Sequence, residues 1–163
     1  MIQKFWEEAE EDEQFWDGGQ FGSVSKPDVK ALLEGSSINS NVVNAYIDII
    51  KGDLEKSGIR NQGIMTTYVL DSVRDTSPRL KYNNVFEPMM TLLGHCDNIF
   101  IPLITTEDYH STMLRLNKKA KEWIHYNPMR KRTNPEKGKG YENAKEVVSL
   151  MGYLIFVMCI DPQ

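Results

Sequence analysis

Cysteine is scarce. Cys96 and Cys159 are the only two in 163 residues, and neither belongs to a Cys-x-x-Cys pair or a Cys/His cluster. That excludes a zinc site with ordinary ligand spacing and a disulfide scaffold, and it fits a reducing compartment. Long apolar stretches are missing as well. The longest, residues 153–160, is far too short to cross a bilayer, and the acidic N-terminus lacks the charged-then-apolar pattern of a signal peptide. The paired glycines Gly18 and Gly19 match no phosphate-binding fingerprint. A formal net charge of −4 gives no general attraction to nucleic acid or to a membrane surface. An intracellular protein, nuclear or cytoplasmic, is expected, with no cofactor, no metal, no membrane association and no nucleic-acid partner.

What is present is enough for one domain with a real core: hydrophobic residues make up 40% of the chain and charged ones 26%. The charges are segregated. Seven acidic residues fall within the first seventeen positions, and eight basic ones lie between 118 and 139. Such a separation indicates either an intramolecular contact or two surfaces with different partners.

Periodicity divides the chain. Residues 3–16 pattern as an acidic amphipathic helix around Phe5, Trp6 and Ala9, followed by a Gly/Ser-rich connector over 17–26. Ser25, Pro27 and Asp28 form a capping box that starts a short helix ending at Gly35. Asn39 or Ser40 caps a longer core helix over 40–56, with Val42, Val43, Tyr46, Ile47, Ile49 and Ile50 on a wide apolar face. Residues 64–73 fit strand and helix equally well. Residues 85–93 read as a helix with Pro88 in its first turn.

Three strand-like runs follow. Residues 99–104 are continuously apolar, with Pro102 limiting pairing on one side. Residues 110–116 alternate Thr112, Leu114 and Leu116 against Ser111, Met113 and Arg115, and a polar turn at Asn117, Lys118 and Lys119 leads to a partner strand over 120–126. A basic loop (129–140), a second core helix (141–151) and an apolar run at 153–160, read as a strand, complete the chain.

His110 opens the second of the three strands and Asn127 closes the third. Polar residues at one end of adjacent strands make two thirds of a catalytic triad, the imidazole and the group that orients it. The missing member is a nucleophile. Cys159 is the candidate, but it lies in an apolar strand, where burial raises the thiol pKa. Cys96 precedes the strands and reads as structural, and its sequence neighbour His95 makes no dyad with it, because adjacent side chains point apart.

Two motifs resemble those of the cysteine proteases that process small ubiquitin-like modifiers, the SUMO-specific (Ulp/sentrin-protease) family, and most closely its divergent plant and transposon-borne members. Residues 32–47 (LLEGSSINSNVVNAYI) are similar to the segment that leads into the family's core helix. Residues 99–103 (IFIPL) with 108–114 (DYHSTML) are similar to its aliphatic-Pro-aliphatic and His-Trp-x-Leu strands, and 125–129 (HYNPM) stands where the family has Tyr-Asp-Ser-Leu. His110 and Asn127 are seventeen positions apart, as a tight hairpin requires. The resemblance covers roughly residues 28–163, leaving 1–27 as an acidic N-terminal helix and linker.

The resemblance implies an α+β, papain-like fold with a mixed or antiparallel sheet flanked by helices 40–56 and 141–151. It also implies departures. The family's nucleophilic cysteine opens a helix after a Gln and an Asp-Cys-Gly turn, and no such segment occurs here. Pro162-Gln163 resembles the lead-in, which puts Gln163 at the oxyanion-stabilising position and makes the chain a truncated homologue. Asn127 replaces the acidic residue, and Ser37 and Ser111 stand where the family has the tryptophans that roof the modifier's Gly-Gly tail. The expectation is a catalytically inactive pseudoenzyme that binds a protein partner, SUMO or another ubiquitin-like protein. The alternatives are an active cysteine-type, deSUMOylating peptidase, and a regulatory or antagonist protein unrelated to SUMO.

Overall fold

The computed structural model describes residues 13–17, 23–35, 38–105, 110–128 and 138–160. The chain divides into two compact units, Met1–Asp53 and Leu54–Gln163.

In the first unit, strands β1 (Gln14–Asp17) and β2 (Ser23–Ser25) pair antiparallel, with a bulge between Gln14 and Trp16. This corrects the end of the acidic helix expected over 3–16. The aromatic pair Phe15-Trp16 favours a pleated, half-buried strand, and β2 supplies the partner. Residues 3–12 of that helix lie outside the described residues. The capping box forms as read: Asp28 Oδ2 accepts the Ser25 N–H and O–H, each at 2.9 Å, at the start of α1 (Lys26–Leu33). Gly35, at φ +69°, follows the helix, a conformation that favours glycine. Asn39 Oδ1 accepts the Val42 N–H at 3.0 Å and caps α2 (Ser40–Lys56). Of this helix, Ile47 and Asn44 are buried, whereas Tyr46 is 62% and Ile49 58% exposed. The wide apolar face read from its sequence is therefore only partly used.

The second unit is a mixed α+β layer structure. Its sheet has the order β3-β4-β5-β6, with β3 (Gln62–Ile64) parallel to β4 (Asn98–Thr105), and β5 (His110–Asn117) and β6 (Glu122–Tyr126) added antiparallel. The ambiguous 64–73 stretch is both things in turn. It ends β3 at Ile64, bonds Met65 N–H to the Phe100 carbonyl at 2.9 Å, and resumes as α3 (Val69–Arg74). The Phe100 carbonyl faces β3, so two residues on, Pro102 directs its donor-less nitrogen to the same side, beyond the end of β3. Proline is tolerated in mid-strand for that reason.

Alternation sorts the sheet into two faces. Ile99, Ile101 and Leu103 on β4 meet Leu116, Leu114 and Thr112 on β5, and all six are buried. Against that face pack Val69 and Leu70 of α3, Val85 and Met89, and Ala144, Val147 and Met151 of the last helix.

Pro88 is accommodated by a change of helical pitch. A short α4 (Pro78–Lys81) runs into a π turn (Tyr82–Phe86) and then α5 (Glu87–His95), with Glu87 N–H bonded to the Tyr82 carbonyl. The wider turn makes room for a ring that would otherwise strike the carbonyl four residues back.

The last helix, α6, spans Lys139–Ile160. The strand expected over 153–160 is thus helix. Eight apolar residues in a row carry no period, so the run alone decides nothing. The helix that carries Ala144, Val147, Val148 and Met151 runs on through it, and Gly152 lowers helix stability by only about 1 kcal/mol without stopping it. Among the described residues, no helix is long and apolar enough to cross a membrane.

The β5–β6 turn contains Lys121 at φ +54°, the left-handed region that L side chains avoid. Lys121→Gly is expected to raise stability by about 1 kcal/mol in urea unfolding, and an unchanged or lower midpoint would show that the lysine side chain compensates the strain.

Candidate functional site

The candidate site lies at one end of the sheet. β5 begins at His110, whose Cα partner across the ladder is Thr105, the last residue of β4. β6 ends at Tyr126, opposite Met113, and Asn127 is the next residue, half-buried. Continuing that register by one step sets Asn127 alongside Thr112, so His110 is its diagonal neighbour, two residues further along β5. Diagonal positions of an antiparallel pair are separated by about 7–8 Å, within reach of long side chains on one face. Sequence spacing and strand register thus bring the two positions to the same sheet end.

Two groups missed by the sequence reading lie on these strands, Thr112 near this end and Arg115 toward the other. Thr112 is buried, and its Oγ1 has no hydrogen-bond partner among the described residues. Arg115, on the opposite face, ties the three strands together: its Nε and Nη2 donate to Asn98 Oδ1 at 3.0 and 2.6 Å, and Nη1 donates to the Tyr126 hydroxyl at 3.4 Å. Its guanidinium lies 5.9 Å from the Phe100 ring centroid. Asn98, Phe100, Arg115 and Tyr126 share one parity in the register, and that parity was the available signal. On the core side, His125 meets Tyr141 of α6 with ring centroids 6.2 Å apart, and Lys145 lies 4.6 Å over the same tyrosine.

The two cysteines lie on other elements. Cys96 caps α5 beside the first residues of β4, and β4 is eight residues long. At about 3.4 Å per residue, roughly 24 Å of strand separates Asn98 from the Thr105–His110 rung. Cys96 is buried, with Sγ 3.7 Å from the Arg60 carbonyl. Burial pushes its thiol up, and nearby Lys118 offsets this only in part. Cys159 lies in the last turn of α6, which corrects the strand expected there. From Tyr141, the residue that meets β6, the helix rises about 27 Å to Cys159 at ~1.5 Å per residue. Gln163 lies outside the described residues. Among those described, no three His, Cys, Asp or Glu side chains converge to hold a metal ion.

Part of the basic segment is engaged within the fold. Lys118 Nζ donates to the Leu93 carbonyl at 2.8 Å near the end of α5, and Lys119 Nζ pairs with Asp97 Oδ2 at 2.8 Å. The Lys119 hydrogen bond, with help from Asn61, holds the Asp97 carboxyl below its ordinary value of 3.8. A depressed pKa favours the folded state when the group is ionised. The contribution is therefore present above the unfolded value and is lost as pH falls through the lower, folded one. Asp97→Asn is expected to lower the urea midpoint at pH 7, with the difference from wild type vanishing once both values are passed in acid. A pH-independent difference would show that the effect is steric.

No family model matches the chain, and no curated protein matches it. A solved structure does. The C-terminal protease domain of Ulp1, determined in complex with Smt3, the yeast ortholog of SUMO, aligns with a TM-score of 0.55 at 16% identity. The alignment covers 76% of this chain and 52% of that one, so the chain spans about half the length of the protease domain it resembles. The α+β architecture with its mixed, helix-flanked sheet is similar to that of the Ulp1 protease domain.

Proposed function

We propose that this chain is a SUMO protease-like domain that acts by binding a ubiquitin-like protein, SUMO or a relative of it, and does not itself cleave the modifier. The observation that carries the reading is the likeness to a protease domain solved with Smt3 bound. The absence of catalysis is supported by distance: His110 and Asn127 share a sheet end, Cys96 caps the helix at the other end of β4, and Cys159 is far along α6. Asn127 in place of a carboxylate can orient an imidazole through a hydrogen bond, but it cannot stabilise imidazolium with a charge.

The runner-up, a working cysteine-type peptidase, is favoured by the retained placement of His110 and Asn127. The two readings separate in one assay. The purified chain is incubated with a SUMO precursor and with a SUMO-vinylsulfone probe. We expect neither cleavage nor covalent adduct, also after Asn127→Asp. An adduct that disappears in Cys159→Ser would overturn the inactive reading and establish the peptidase.

A further inference from the structure

We draw no further inference here: the strongest candidate, the exposed apolar side chains Leu33, Ile38, Tyr46 and Ile49 on the two helices of the first unit and the link between them, carries nothing because nothing in the structure shows what covers them.

Discussion

Leu114→Ala is expected to destabilise the second unit by about 2–5 kcal/mol, a large fraction of the roughly 5–15 kcal/mol that holds a domain folded. Leu114 sits in the middle of β5, opposite Ile101 on one side and His125 on the other, and is 1% exposed. Its removal takes contacts from two strands and from the core they share with α6, and the paired backbones on both sides limit how far the gap can close. Urea unfolding followed by far-ultraviolet circular dichroism measures the loss. Tyr82→Ala is the control: at 57% exposure it should change stability by no more than ~0.5 kcal/mol. If Leu114→Ala behaved like the control, the assignment of this sheet face to the core would be wrong.

Gly63→Val should have the second largest effect. Gly63 is the central residue of β3, where the strand passes the end of α5. A Cβ there would lie 2.8 Å from Leu92 Cδ2 and 3.1 Å from Cys96 Sγ. An alanine is accommodated at moderate cost, because the end of Leu92 can rotate. The two further methyl groups of valine have no such outlet, and overpacking of this kind costs about 1–3 kcal/mol. The predicted order of stability is therefore wild type, Gly63→Ala, Gly63→Val. A valine variant as stable as wild type would mean that β3 does not approach α5 so closely.

These two positions also illustrate what the sequence could and could not disclose. β4 was legible as a short, continuously apolar run, β5 from its alternation, and β6 as its partner across a polar turn. The capping box at Ser25 and the first half of α6 were legible for equally local reasons. The rest depended on context. Phe15-Trp16 continued an apparent helical stripe until β2 gave it a strand partner. Residues 64–73 had no single period because they hold the end of a strand and a short helix. The 153–160 run had no period at all, and only its continuity with α6 made it helical. That change also moved Cys159 from a strand to the last turn of a helix. In the candidate site, the positions of His110 and Asn127 followed from counting along a hairpin. The placements of Thr112 and, further along the sheet, of Arg115 did not, because they come from cross-strand register, which a single strand's sequence does not contain.

One titration tests the central claim most directly. Isotope-labelled SUMO precursor, with its C-terminal extension intact, is observed by NMR as the unlabelled chain is added. Saturable shifts on the modifier, with the extension still attached after prolonged incubation, are the predicted result. A spectrum that does not change would contradict binding, and signals of a released extension would contradict the absence of catalysis.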